Sequence, residues 1–385
     1  MKVSCLQEQL SKGLSIVSRA VSTKTTLPVL NNILIATENG EEGGRLKLAA
    51  TNLEISITIY VPAQVENAGE VTIPARLLSD FVSNIPKDSN VVLTLEEQTL
   101  TLNVHGGRFD ANIKGIAAED FPALPGVTNT INTVVMDSNV LKDAIGQVVF
   151  AASGDETRPV LTGVFASFER DKVTLACADS FRLAVKTATL AAPADNNFSV
   201  ILPGRAMQEL SHVLTDDDSK VEISVTTNKS QALFKTEAIN FTSSLIEGNF
   251  PNYQQIIPKS YETRTVIATD QLLKAVKVAS LFARDNGNNI VRLSINPGED
   301  TTPGSLTLMA NASEVGDHRG EVDATVDGQA TQIAFNAKFM QDVLSVMETG
   351  QVALELQTSS NPGVFKPVGK DDYIYVIMPM HLASR

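Results

Sequence analysis

Arg76, Arg205 and Lys338 each stand second in a segment that reads as the opening of a helix. These are Ala75-Arg76-Leu77-Leu78-Ser79-Asp80-Phe81, Gly204-Arg205-Ala206-Met207-Gln208-Glu209-Leu210 and Ala337-Lys338-Phe339-Met340-Gln341-Asp342-Val343. The first turn of a helix offers unpaired amides and the positive end of the dipole, so a cation there costs a few tenths of a kcal/mol, up to about 1. Repeating the misplacement three times points to an external anion that answers both the base and the amides, with phosphate the natural candidate. A salt bridge to a neighbouring carboxylate would explain any single copy. Lys12 and Arg19 lie two turns apart on one helical face, and Lys274, Lys277 and Arg284 share another.

Catalytic chemistry has little to stand on. No GxxxxGK[ST] loop, GxGxxG turn or HExxH pair occurs. The four histidines, His105, His212, His318 and His381, are scattered without ligand spacing, so no metal and no cofactor is expected. Carboxylates such as Glu54, Glu119 and Asp179 could form an acid–base pair only if the fold brought them together. Asp179 follows a strand, where local backbone hydrogen bonding explains it. Two cysteines, Cys5 and Cys177, rule out a disulfide framework, and their apolar neighbours mark them as buried, inert thiols.

Positioning three such bases needs three similar scaffolds, and the chain supplies them. At 385 residues it is long enough for two or three domains at about 150 residues each. Leu10, Leu14, Val17 and Ala20 recur as Leu141, Ile145, Val148 and Ala151, then as Leu272, Val276, Ala279 and Phe282. Spacings of four, three and three predict one apolar helical face each time, at a period of 131 residues. Between this helix and the base-bearing one lies a strand: Leu46-Lys47-Leu48-Ala49-Ala50-Thr51-Asn52, Val173-Thr174-Leu175-Ala176-Cys177-Ala178-Asp179 and Leu306-Thr307-Leu308-Met309-Ala310-Asn311-Ala312. Strands are also expected at 91–95 and 99–104 around a Glu96-Glu97-Gln98 turn, at 221–225 and at 352–356. The expectation is an α+β chain of three similar domains, each two helices packed on antiparallel sheets, with boundaries at 1–126, 127–258 and 259–385.

A hydrophobic share of 43% and a charged share of 19% fill a core and exclude compositional disorder. Lys+Arg 31 against Asp+Glu 44 gives a net charge of -13, the wrong sign for a protein that coats nucleic acid. Bases gathered on the helical layer would attract a polyanion to one surface while the acidic remainder repels it. The N-terminus turns polar too soon for a signal peptide and no apolar run is long enough to span a bilayer, so a cytoplasmic protein without membrane contact is expected.

Across its length the chain resembles the bacterial DNA polymerase III β sliding clamp family. The resemblance rests on Thr26-Leu27-Pro28-Val29-Leu30, Thr51-Asn52-Leu53-Glu54-Ile55, Ile73-Pro74-Ala75-Arg76, the run from Glu156 to Val164, Ala178-Asp179-Ser180-Phe181-Arg182-Leu183-Ala184, Phe250-Pro251-Asn252-Tyr253 and Met378-Pro379-Met380, in that order. It implies a head-to-tail homodimer closing into a ring of six domains, helices inside and sheets outside. Such a ring encircles duplex DNA without sequence preference, is opened by a clamp loader complex and has no catalytic residue. It tethers the DNA polymerase III alpha subunit and other clamp-binding polymerases and repair proteins.

The family's DNA contacts fall on Lys24, Arg76, Asp155, Pro159 and Val160, to which the helix argument adds Arg205 and Lys338. Its partner-peptide pocket falls on Leu161, Ala178, Ser180, Phe181, Leu183, Pro251, Gln255, Ile256, Val376, Ile377, Met378, Pro379, Met380, His381 and Leu382. Asp155, Pro159 and Val160 stand where the best-known member has glutamine and tyrosines, Phe181 where histidine is common, and Gln255 where a base is. Two other function classes stay open: a ring-shaped paralogue outside replication, and a carbohydrate- or metabolite-processing enzyme with paired carboxylates.

Overall fold

The computed structural model describes residues 1–22, 26–40, 43–124, 130–215, 219–283, 289–299, 303–312 and 316–380. Lys24, Arg284, His381 and Leu382 lie outside the described residues. By packing, the chain divides into two compact units. One comprises Met1–Asn139, Ala191–Asn196 and His212–Leu245; the other Val140–Leu190, Asn197–Ser211 and Ile246–Arg385. The middle copy of the repeat contributes to both.

Six helices of eight or more residues occur among the described residues: α1 (Gln7–Val17), α2 (Ala75–Ser83), α3 (Ser138–Val148), α4 (Gly204–Val213), α5 (Thr269–Phe282) and α6 (Ala337–Ser345). They are the expected two per copy. In α1, α3 and α5 the apolar stripe is the buried one: Leu10, Leu14 and Val17; Leu141, Ile145 and Val148; Leu272, Val276 and Ala279. Each fully buried Leu or Val contributes about 1.5–3 kcal/mol. α1 and α3 tighten into a single 3₁₀ turn, Ser18–Ala20 and Val149–Ala151, which keeps Ala20 and Ala151 on the buried side. Phe282 differs from the expected pattern: it is only half-buried and stacks on His318, with ring centroids 5.5 Å apart.

The first unit holds two antiparallel sheets. One runs in the order Gln64–Asn67, Lys2–Leu6, Asn90–Glu96, Thr101–Gly106, Phe109–Lys114. The other runs Thr130–Asp137, Lys220–Thr226, Gln231–Lys235, Ile239–Ser244, Ile55–Pro62, Gly43–Thr51, Asn32–Gly40, Glu70–Pro74. The second unit holds a twelve-stranded sheet: Phe198–Pro203, Gly163–Glu169, Lys172–Ala178, Arg182–Thr189, Tyr373–Ile377, Gly363–Pro367, Gln351–Leu356, Thr263–Ala268, Gly316–Gly328, Ser305–Ala312, Ile290–Asn296, Thr331–Asn336. The chain is thus α+β, helices on antiparallel sheets. One expected strand starts late. The segment expected from Thr99 begins at Thr101, because Leu100 is left-handed (φ 51°) and belongs to a four-residue turn that a Thr99 to Glu96 Oε2 hydrogen bond of 2.8 Å braces.

In two places a strand of one copy pairs with a strand of the next. At the first junction Ile55–Pro62 pairs with Ile239–Ser244, Ser56 opposite Thr242 and Thr58 opposite Asn240. At the second, Arg182–Thr189 pairs with Tyr373–Ile377, Leu183 opposite Val376 and Val185 opposite Ile374. Side chains alternate across a strand, so each junction has a helix-side face and an outer face. Gly13 of α1 comes close to Leu48, Ile59 and Val61, and the Tyr375 hydroxyl donates to the Phe339 carbonyl of α6 at 3.2 Å. Those contacts identify Ile55, Ile57 and Ile59, and likewise Tyr373 and Tyr375, as helix-side.

Candidate nucleic-acid interface and partner pocket

Arg76, Arg205 and Lys338 occupy the second residue of α2, α4 and α6, as expected, and all three are exposed. Their settings differ. Arg76 is 95% exposed, with Asp80 one turn on at 3.7 Å, and α2 starts at Pro74 without a side-chain cap. An exposed pair of that kind is worth little, so the guanidinium and the first amides of α2 stay open to an anion. At α6 Asn336 Oδ1 already accepts from the amides of Lys338 (2.9 Å) and Phe339 (3.4 Å). The expectation that one external anion would answer both base and amides is therefore corrected at α6, where only the ammonium is available. Lys12 on α1 and Lys274 and Lys277 on α5 are exposed too.

Asp155, Pro159 and Val160 lie in and around the single turn Pro159–Thr162. Asp155 Oδ1 accepts from the Thr157 hydroxyl (2.6 Å) and amide (3.0 Å), while Oδ2 accepts from Arg158 Nε (3.0 Å). Those bonds, led by the one from the Thr157 hydroxyl, hold the Asp155 carboxyl below its ordinary range.

The outer face of the second junction is an apolar floor. Ala178, Leu183 and Val376 are buried together with Ala176, Val185 and Val364. Phe165, Phe250, Tyr253, Ile257 and Ile374 pack against them. Phe165 stacks on Phe250 at 5.2 Å, and Tyr253 meets Phe250 edge-on at 6.3 Å. Around this floor Phe181 is 55%, Ile256 44% and Met378 40% exposed, with Ser180, Pro251 and Gln255 exposed and Leu161, Pro379 and Met380 half-buried. Ile377 departs from the group. It is fully buried and pairs directly with Arg182, so strand alternation turns it to the helix side, away from Val376.

The rim is held by a turn. Asp179 Oδ1 accepts from the amides of Phe181 (2.7 Å) and Arg182 (3.0 Å), and the Phe181 carbonyl accepts from the Met378 amide (2.8 Å). This bears out the local reading of Asp179. Two arginines that sequence reasoning passed over are part of it. Arg158 donates to Ser180 Oγ at 2.9 Å. Arg182 lies beneath, its side chain 9% exposed, bonded to Asp179 and Asp342. The available signal was an arginine inside the apolar run Phe181 to Val185.

The repeat supplies an internal comparison. Where Leu183, Val185, Val376 and Ile374 form the second junction's outer face, Ser56, Thr58, Thr242 and Asn240 form the first's. Both junctions pair their strands in the same register, and of the two only the second presents an apolar outer face.

Nothing else described invites chemistry. Among the described residues no group of three or more His, Cys, Asp or Glu side chains could hold a metal, and no helix is long and apolar enough to cross a membrane. An open cleft of about 450 Å³ beside Ser294, Asn296, Thr331, Gln332 and Ser359 has no ionisable lining. Burial pushes the Cys5 thiol up to about 12 and the Cys177 thiol further still, as expected for inert cysteines.

Compared with known proteins, the chain matches the DNA polymerase III beta subunit family in three successive parts: its N-terminal domain over residues 1–125, its central domain over 135–252 and its C-terminal domain over 254–381. It is 34% identical over 385 residues to the beta sliding clamp of Synechococcus elongatus, all of both chains being covered. To that of Bacillus subtilis it is 30% identical over 390 residues, 99% of each being covered. The crystal structure of the Bacillus subtilis DNA polymerase sliding clamp superposes with a TM-score of 0.90 at 29% identity, over 99% of each chain. That of the Pseudomonas aeruginosa DNA polymerase III subunit beta gives 0.89 at 28%, over 99% of this chain and 100% of the other.

Proposed function

The chain belongs to the DNA polymerase III beta subunit family, the non-catalytic sliding clamps, and from that premise we propose that two copies close head to tail around duplex DNA in the cytoplasm. Its three repeats, 1–126, 127–258 and 259–385, then make six domains, with the bases of α2, α4 and α6 facing the duplex.

One observation carries the dimer. Three apolar positions are exposed where their equivalents in other copies are covered. Phe109 is 45% exposed, whereas Ile239 and Tyr373, in the same place at the two filled junctions, are 9% and 2% exposed. Leu77 is 55% exposed, whereas its equivalents are Ala206, buried, and Phe339, half-buried under Arg182. Leu281 is 56% exposed, whereas its equivalent Phe150 lies 5.8 Å from Tyr375. A third junction, between copies, would cover all three at on the order of 1–2 kcal/mol each.

Two strands have the free edges such a junction needs. Phe109–Lys114 ends its sheet, and residues 316–323 of Gly316–Gly328 are bonded on one side only among the described pairings. Carrying over the register of the filled junctions sets Phe109 opposite Gly320 of the second copy, Asp110 opposite Arg319 and Asn112 opposite Asp317. The outer face is then charged and complementary, without the apolar floor of the second junction. One partner pocket per chain follows.

That pocket, floored by Leu183 and Val376 and rimmed by Met378, Pro379 and Met380, suits an extended peptide with an apolar anchor. It would receive the DNA polymerase III alpha subunit, the clamp loader complex and other clamp-binding polymerases and repair proteins in turn. Methionines make an adaptable rim for such varied ligands. Light scattering at micromolar concentration should give twice the 41.2 kDa chain mass. A persistent monomer or an open-ended series of oligomers would sink the ring.

A further inference from the structure

We propose that Arg182 is a positioning residue for the partner pocket: from beneath the sheet it ties the rim turn to α6 and so presets the pocket for its ligand. The proposal rests on the pocket reading above.

The geometry points one largely covered guanidinium at three separate elements: the rim turn, the turn after α3, and α6. Arg182 Nε donates to Asp179 Oδ2 at 3.0 Å, and Asp179's other oxygen holds the amides of Phe181 and Arg182. Nη1 donates to Asp342 Oδ2 on α6 at 2.5 Å, and Nη2 to the Phe150 carbonyl, just past α3, at 2.7 Å. The guanidinium carbon lies 4.3 Å from the centroid of Phe339 on α6, whose carbonyl accepts from Tyr375 in the neighbouring strand. Arg182 lines nothing in the pocket; the rim residues Ser180, Phe181 and Met378 face outward above it.

The repeat argues that this tie is not needed to form a junction. At the first junction Ile55 stands in Arg182's place and the strands pair in the same register. At the free edge the corresponding residue is Gly316. The buried arginine occurs only where the outer face is apolar. An ion network costs desolvation that an apolar side chain of similar volume avoids, so its location beneath the pocket calls for a reason there. Phe181, half exposed on a four-residue turn, would otherwise sample many positions; fixing the turn before the peptide arrives removes that ordering cost from binding.

The test is calorimetric binding of a synthetic polymerase-tail peptide to the full-length protein. Asp342→Asn alters α6, which contributes nothing to the pocket lining, and should weaken binding by roughly 3–10-fold. Arg182→Met with Asp342→Asn should weaken it more than about tenfold, and Arg182→Lys should fall between. Ring mass should not change in any of them. Glu209→Gln, at the equivalent position of α4, should bind like the parent. Parent-like binding by the Arg182→Met double variant, or an equal loss in Glu209→Gln, overturns the proposal. If the parent itself does not bind the peptide, it is the pocket reading that fails instead.

Discussion

Arg158 donates to Ser180 Oγ at 2.9 Å, and the residues in their places in the first copy are Leu27 and Leu53, 50% and 58% exposed. The polar clasp on the pocket rim thus has no counterpart in the first copy and stands above the apolar floor of the second junction. Arg158 is also bonded to Asp155, so a single side chain joins the 155–158 turn to the rim. Arg158→Ala should loosen that edge and weaken peptide binding by a few-fold, on the order of 1 kcal/mol. Unchanged affinity would mean that the clasp serves only the loop.

The floor gives a sharper prediction. Leu183→Ser with Val376→Thr transplants the first junction's outer pair, Ser56 and Thr242, into the second. The backbone register is the same at both, so the fold and the ring mass should persist. Peptide binding should fall by more than tenfold, since an apolar anchor loses about 1–3 kcal/mol of contact. Calorimetry with the polymerase-tail peptide reads it directly. Leu183→Ala with Met380→Ala, which leaves a cavity and shortens the rim, should have a similar effect on binding at greater cost to stability.

At the proposed seam, Asp110→Arg sets like charges opposite each other, and adding Arg319→Asp restores attraction with the sign reversed. Asp110 also has His105 at 3.3 Å and Asn103 at 2.9 Å, so the single change disturbs its own strand pair as well. Exposed pairs are worth about 0.2–1 kcal/mol, so the single variant should shift the dimer–monomer equilibrium by up to about tenfold and the double variant return it part-way. Leu77→Asp should do more, placing a charge at a position whose equivalent in the third copy, Phe339, is covered by Arg182. Sedimentation at graded concentration distinguishes these. A double variant no better than the single one argues against this register.

How much of this was legible beforehand depends on the distance over which each feature is decided. The six helices were readable because their buried stripes, such as Leu10, Leu14 and Val17, lie within eleven residues of sequence. The left-handed Leu100 was not, since leucine carries no turn signal. Asn336, two residues before Lys338, is a cap signal legible in the sequence, since asparagine is a favoured N-cap residue. Ile377 and Val376 are neighbours in sequence, but strand alternation puts them on opposite faces of the sheet. Arg158 and Arg182 were missed because their partners Ser180 and Asp342 are 22 and 160 residues away. No local pattern reports such distances. The polar outer face of the first junction needed the strand register, which only the folded chain supplies.

The Asp155 turn carries a pH prediction. Hydrogen bonds from the Thr157 hydroxyl first, then its amide and Arg158, lower the Asp155 carboxyl from its ordinary 3.8. A carboxylate with a depressed folded pKa stabilises its surroundings above its unfolded value, and that contribution is lost as pH falls through the folded one. The turn should therefore be fully formed at neutral pH and loosen only in acid below the ordinary carboxylate range. A carbon-detected NMR titration should show Asp155 titrating below a reference aspartate, and Asp155→Asn should remove the step. If Asp155 titrates at or above 3.8, the Thr157 and Arg158 bonds do not hold in solution.

For DNA the expected mechanism is topological. Contacts confined to phosphates carry no sequence information and weaken with salt, the slope falling by about 1 for each contact removed. The chain's charge of -13 makes affinity for short linear duplex weak, so retention on closed circles must come from the ring. Changing Lys24, Arg76, Arg205 and Lys338 to Ala should flatten the salt dependence and impair loading while the dimer stays folded. Lys338 alone should matter less than Arg76, because Asn336 already serves the α6 amides and only a point charge is lost. The check is persistence of loaded protein on nicked circular against linear DNA as salt is raised. Equal retention on both would refute the topological mechanism, and a variant with an unchanged salt slope would show that these bases do not face the duplex.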